Sequence, residues 1–180
     1  MKRILLVILA ASLAPFAAAA QQATAPEANP VSSALRSIVA RESRVVVAGA
    51  EEMPADKYSY HPTPDQMSFG KLVAHMATSN FGLCATISGV AAPKAEPVTE
   101  NDPKDKLVEA LKASFDFCTQ SLANLDDSKL GEQLTFYGGR TAPRATLMFV
   151  LASDFSDHYS TEADYLRMNG LLPPSAQPRK

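Results

Sequence analysis

The sequence predicts an all-α fold, a single four-helix bundle, on three observations. Four segments carry apolar residues at three- and four-residue steps, the period of a helix with one buried face. The thirteen prolines cluster at the chain ends and between those segments, as stiff loops between helices require. Apart from one short apolar stretch, no credible strand alternation is present.

The chain opens with a targeting segment. Lys2 and Arg3 precede an apolar run from Ile4 to Leu13, and Ala18-Ala19-Ala20 follows. A positive start, an apolar run of about ten residues and an A-x-A site form an export signal, too short to span a bilayer. Residues 1–20 are therefore expected to be a cleaved signal peptide, and the absence of a cysteine near the cut argues against a lipid anchor. The mature protein is expected to be periplasmic or secreted, with no membrane anchor. Residues 21–31 are polar, rich in Ala and Pro, and read as a flexible leader. Residues 32–174 form the bundle, and 175–180 a disordered tail.

The first helix spans about Ser32 to Glu52, with Leu35, Ile38, Val39, Val45, Val46 and Gly49 on its apolar side and Pro54 as its stop. Tyr58 to Pro64 is an extended linker, because residues before proline avoid the helical region. The second helix starts between Pro64 and Ser68, where Thr63-Pro64-Asp65-Gln66 has the form of a capping box, and runs to about Ser88. Its stripe is Leu72, His75, Met76, Ser79, Leu83 and Ile87. A proline-interrupted loop from Gly89 to Asn101 leads to the third helix, which opens at Asp102-Pro103 and carries Leu107, Leu111, Phe115, Cys118, Leu122 and Leu125. Leu134 to Tyr137 is a short apolar stretch, read as extended, and Gly138-Gly139 a turn. The fourth helix opens near Thr141 or Pro143, with Leu147, Leu151, Asp154, His158 and Tyr165 on its stripe, and Asn169-Gly170 ends it.

Lys and Arg total 17 against 19 Asp and Glu, with no basic stripe, which excludes a nucleic-acid partner. The two cysteines, Cys84 and Cys118, either form a disulfide, as export favours, or stay as two buried thiols. Each lies about 15 residues into its helix. Parallel second and third helices would place them at one height; a tight antiparallel hairpin would offset them by roughly 15 Å, beyond disulfide reach. The long loop can span about 40 Å, enough for a crossover.

Of three histidines, two fall on helical stripes. Asp154 and His158 are one turn apart on one face, and buried aspartate is rare unless paired. A histidine from one helix and an i, i+4 pair from another is how bundles build metal sites. His75, Asp154 and His158 are thus the candidate ligands of a divalent ion, against the alternatives of a satisfied core histidine and an intrahelical Asp–His pair. Glu162 is a spare ligand or a hydrogen-bond acceptor behind one. His61, in a proline-rich loop, reads as surface. No motif of a serine hydrolase, a zinc protease or a dithiol enzyme is present.

Ser68-Phe69-Gly70-Lys71-Leu72-Val73-Ala74-His75, together with Asp157-His158-Tyr159 and Tyr165-Leu166-Arg167-Met168-Asn169-Gly170-Leu171-Leu172-Pro173-Pro174, resembles the DinB-like family over about residues 32 to 174, and in particular its exported branch. The resemblance implies an up-down-down-up bundle with a long crossover between the second and third helices. It also implies a divalent metal held by one histidine of the second helix and an H-x-x-x-H pair of the fourth. His75 and His158 match two of these; Asp154 stands where the pattern has the third. Two histidines and a carboxylate can hold zinc, nickel or manganese, so the implied function is metal-dependent hydrolase or transferase chemistry on a small molecule; a homodimer is one assembly open to such a protein, and the sequence does not fix the oligomeric state. The alternative is a non-catalytic binding or stress-related module that has lost the metal. Thiol-dependent transferases and isomerases occur in the family, but an oxidising periplasm is a poor place for their cosubstrates.

Overall fold

The computed structural model describes residues 26–94 and 96–178. The expected signal peptide and residues 21–25 of the leader lie outside the described residues, and the leader's last two residues, Pro30 and Val31, belong to the first helix instead. Four helices dominate: α1 (Pro30–Glu52), α2 (Phe69–Ser88), α3 (Lys104–Ser121) and α4 (Arg144–Met168).

Local chemistry sets their ends. Pro30 opens α1, where its missing N–H costs nothing. The carboxylate of Asp127, from the turn after α3, accepts from the backbone N–H groups of Val31 and Ser32 at 2.9 Å each and from Ser32 Oγ at 2.6 Å. A negative charge on a helix N-terminus is favourable, and this one ties the two ends of the α1–α3 pair together. α2 starts later than the sequence suggests. Its cap is Ser68, whose Oγ accepts from Lys71 N–H at 3.1 Å. The expected capping box at Thr63 to Gln66 is a separate turn closed by Gln66 N–H to Thr63 O. α3 is likewise preceded by Pro103, and Asp102 serves the loop, accepting from Thr99 N–H at 2.8 Å.

Contacts between helices fix their directions. Asn80 Nδ2 donates to Ser114 Oγ at 3.0 Å, Phe81 packs on Phe117, and Cys84 is bonded to Cys118 with Cα atoms 5.2 Å apart. These partners rise together, so α2 and α3 are parallel, and the 89–103 segment is the crossover that parallel neighbours need. Arg36 donates to Leu125 O at 2.7 Å while Lys104 donates to Glu51 O at 2.6 Å, so α1 and α3 are antiparallel. Phe69 meets Tyr165 and His75 meets His158, so α2 and α4 are antiparallel too. The order is up-down-down-up, as expected, and the disulfide alternative is the one realised.

The loops differ from expectation in two further places. The stretch before Gly138 is paired: β1 (Gln133–Phe136) runs antiparallel to β2 (Arg140–Pro143), with Leu134 opposite Ala142 and Phe136 opposite Arg140. Gly138 and Gly139 both have positive φ, near +70°, which the tight connection requires and other residues resist. After α4, Pro174–Ala176 forms a single 3-10 turn rather than a structureless tail, and Ser175 N–H donates to Tyr159 Oη at 2.8 Å. No helix among the described residues is long and apolar enough to cross a membrane.

The core is aliphatic and aromatic, with Phe69, Leu107, Leu111, Phe115, Leu147, Leu151 and Leu166 fully buried and Phe115 stacked on Phe155 at 5.3 Å. Two glutamates share it. Glu42 is buried on α1 and paired with Arg41. Glu162 on α4 is fully buried against Gly49 of α1, with neither oxygen hydrogen-bonded among the described residues. A methyl group on Gly49 would come within 2.9 Å of that carboxyl group, so glycine is what lets α1 and α4 close around it.

Two outcomes follow for stability. Replacing Cys84 and Cys118 by Ala is expected to cost about 3 to 4 kcal/mol, read from urea midpoints, because the bond closes a loop between residues 34 apart. Burial pushes the Glu162 pKa well up, so the folded state holds a proton that the unfolded state releases at about pH 4.3. The stability from that proton is fully present below the unfolded value and is lost as pH rises through the raised folded value. Glu162→Gln is therefore expected to stabilise the protein at neutral pH and to flatten the decline that sets in above the unfolded value. The raised pKa of Glu42 and the lowered pKa of His75 contribute slopes of opposite sign in both proteins, and an unchanged slope in urea titrations would show that Glu162 is ionised and solvated.

Candidate functional site

Helix periodicity alone does not place His75. Leu72, Met76, Ser79, Leu83 and Ile87 form the buried stripe of α2, but His75 lies beside it and is exposed. The expectation of an inward-facing His75 is therefore corrected: the site sits on the rim of the bundle. On α4, Leu151, Phe155, Glu162 and Tyr165 are buried, while the side chains of Asp154 and His158 keep 25% and 12% of their surface in solvent. These values put both at the edge of the core, facing α2.

The antiparallel crossing of α2 and α4 lays the His75 ring over that of His158, with centroids 4.8 Å apart and planes tilted by 31°. His158 Nδ1 lies 2.6 Å from the backbone oxygen of Asp154. A carbonyl can only accept, so Nδ1 carries a proton and, in the neutral ring, Nε2 is the nitrogen with the lone pair. Histidine ligands of metals are commonly held this way through their other nitrogen. His75 Nε2 is 3.4 Å from Ser79 Oγ, and Asp154 Oδ1 is 3.6 Å from His158 Nδ1.

These distances bear on whether a metal fits. Two imidazoles bound side by side to one ion through bonds of about 2.1 Å have centroids about 5 Å apart, so the ring pair fits. Among the described residues, however, no group of three or more His, Cys, Asp or Glu is arranged to hold an ion. Asp154 would join the pair only by turning about its side-chain bonds.

The surroundings of His75 favour its neutral form. Desolvation lowers its pKa, the neighbouring His158 lowers it further, and Asp154 acts the other way. A neutral imidazole has the lone pair that a metal or a proton needs.

A further side chain reaches this site and was not singled out in the sequence. Tyr137, on the turn between β1 and β2, rests its hydroxyl on α2 beside Gly82, where an added methyl group would meet it at 2.9 Å. Burial raises the Tyr137 pKa, the Asp154 charge adds to the rise, and a hydrogen bond with Ser79 offsets part of it. The hydroxyl therefore lies on α2 at Gly82, on the Ser79 side of the ring pair and within the field of the Asp154 charge. The available sign was Gly82, a glycine in a helix interior, where it costs roughly 1 kcal/mol relative to alanine.

The other candidates serve the fold. His61 Nδ1 contacts Thr63 O at 2.9 Å in an exposed loop. Tyr165 donates to Met67 O at 2.9 Å. Glu162, considered as a spare ligand, faces Gly49 of α1 instead.

A family model described as the DinB superfamily matches residues 39–161. Among solved structures, a DinB-like protein from Bacillus cereus is similar over 79% of this chain and 95% of its own, at 14% identity and a TM-score of 0.66. A DinB-like protein from Bacillus subtilis is similar over 81% of this chain and 99% of its own, at 22% identity and a TM-score of 0.65. A mycothiol-dependent maleylpyruvate isomerase is similar over 72% of this chain but 59% of its own, at 13% identity and a TM-score of 0.57. At these identities the likeness is one of fold. No curated protein matches the chain.

The ring pair makes its own prediction. In NMR titrations His75 is expected to titrate below the ordinary histidine value, about 6.5. Asp154→Asn should move it further down, since the carboxylate raises it, and His158→Ala should move it up. An unshifted His75 in both variants would mean that the three side chains do not sense one another.

Proposed function

The chain belongs to the DinB superfamily, and on that premise we propose that His75 and His158, joined by Asp154, bind a divalent metal for hydrolase or transferase chemistry on a small molecule. The observation that carries this reading is the ring pair, 4.8 Å between centroids, with His158 held through Nδ1 so that Nε2 is free. Zinc, nickel or manganese suits two imidazoles and a carboxylate, and would supply Lewis acidity toward a substrate oxygen.

The protein's own residues do the rest. The two rings, on the interiors of rigid helices, fix the position of the bound species. The Asp154 backbone oxygen fixes the His158 tautomer, and partial desolvation against the His158 ring favours the unprotonated form of His75. Asp154 offers a carboxylate that can ligate or accept a proton. The exposure of His75 leaves the site open to a ligand from solvent without a lid having to move.

Export is part of the same proposal. The targeting pattern at the N-terminus and the disulfide both favour an oxidising compartment. A reduced thiol cosubstrate would not persist there, so the thiol dependence named for one structural relative is not carried over.

A second reading is favoured by one observation, the lack of a ready group of three donors among the described residues. On that reading the bundle is a binding module whose metal site has decayed. Metal analysis and cobalt(II) titration of protein purified without a histidine tag separate the two. The metal reading expects one equivalent bound to the wild type and tight binding lost in His75→Ala and in His158→Ala, with circular dichroism unchanged. Asp154→His is expected to raise zinc affinity by restoring a third imidazole. Full occupancy in the double histidine variant would place the metal elsewhere, and a wild type that takes up no metal would leave the binding module.

A further inference from the structure

The residues around the ring pair include one polar group whose placement the fold does not require. Tyr137 belongs to none of the four α-helices, opening instead the short 3-10 turn Tyr137–Gly139, and half of its surface, 51%, stays in solvent. Yet its hydroxyl is brought to one spot by three separate features. Gly138 and Gly139, both at positive φ, turn the chain directly after it. Arg140 Nε donates to the Tyr137 backbone oxygen at 3.2 Å, and the guanidinium covers the Phe136 ring at 4.7 Å, which steadies the turn. Gly82 leaves the space on α2 that the hydroxyl fills. The spot lies one to two turns along α2 from His75, next to Ser79, which itself touches His75 Nε2.

Tyrosine here could be filler. A phenylalanine would serve equally well as filler, and a mid-helix glycine would then be a needless loss. The pairing of a hydroxyl with a glycine that admits it points to a polar role. A phenol O–H next to Ser79, whose own hydroxyl touches His75, is a hydrogen-bond donor at the edge of the ring pair, able to meet an oxygen held there.

We propose that Tyr137 is a ligand-contacting residue of the His75–His158 site, donating its hydroxyl to an acceptor oxygen of carbonyl or carboxylate type, and that Gly82 is the residue that lets it reach. The site is then built from three parts of the chain: α2, α4 and the β1–β2 turn. The location rests on the reading of His75 and His158 as a binding site, but not on which ion, if any, they hold.

Acetohydroxamic acid is a suitable probe, a small carbonyl compound able to bind with or without a metal. It is titrated into the full mature protein as purified, and binding is followed by the imidazole NMR signals of His75 and His158. The wild type is expected to bind, and Tyr137→Phe to bind about fivefold to tenfold more weakly, the loss of one hydrogen bond. Gly82→Ala, which displaces the hydroxyl without removing it, is expected to weaken binding by a similar factor. Cobalt(II) affinity is measured in parallel and should be unchanged in Tyr137→Phe, because the phenol contacts the ligand and not the ion. Equal probe affinity in wild type and Tyr137→Phe overturns the proposal, as does a wild type that binds no probe. If the probe binding depends on Tyr137 while no cobalt is taken up, the metal reading falls and the Tyr137 contact stands. If cobalt binds and the probe ignores Tyr137, the reverse holds.

Discussion

The parallel run of α2 and α3 is the constraint on which the rest of the molecule depends. Parallel neighbours cannot be joined by a tight turn, so the chain spends residues 89–103 on a crossover. The Cys84–Cys118 bond locks the two helices at one height, with Asn80–Ser114 and Phe81–Phe117 in the same register. With α2 and α3 both descending, α1 and α4 both ascend. That places α4 antiparallel to α2, and only then does residue 75, near the start of one helix, face residue 158, past the middle of the other. In a simple up-down-up-down arrangement α2 and α4 would be parallel, and the two histidines would lie at different heights.

Buried charge is handled differently on the two sides of α4. Toward α2, the ionisable groups sit at the rim, where solvent and mutual contact hold them. Toward α1, Glu162 is taken fully into the core without a hydrogen bond among the described residues, and the cost of ionisation there is avoided by keeping its proton. Gly49 makes that placement possible sterically. The same helix therefore carries a carboxylate suited to ligation, Asp154, and another suited to silence, two turns apart; their surroundings, not their chemistry, separate them.

Much of this was legible in the sequence. The four stripes gave the helices, and the matching heights of Cys84 and Cys118 in their helices tied the disulfide to the helix order. The spacing of Asp154 and His158 marked the face of α4 that meets α2. What could not be read was set by distance in space. A three-and-four periodicity places His75 within about a third of a turn of the stripe, and that margin is the difference between core and rim. Thr63 to Gln66 has the composition of a capping box, yet the anchoring of Phe69 and Gly70 N–H groups on Tyr60 and Tyr58 oxygens moves the helix start to Ser68. The β1–β2 pair is too short to announce itself by alternation. Tyr137 owes its place to a glycine 55 positions earlier in the chain, a relation no local pattern contains.

The β1–β2 turn also has a bearing on how such a protein can diverge. His75, Asp154 and His158 are fixed by helix geometry, and moving any of them means rebuilding the bundle. Tyr137 rides on the tip of the β1–β2 pair, within the connection between α3 and α4; Leu134 and Phe136 of that pair pack against the core, while the tip stands outside it. Recomposing that tip would exchange the side chain next to Ser79 while leaving the ring pair in place. On the proposed reading, the scaffold separates a fixed anchor from an exchangeable contact, so a single loop would be enough to change what the site accepts.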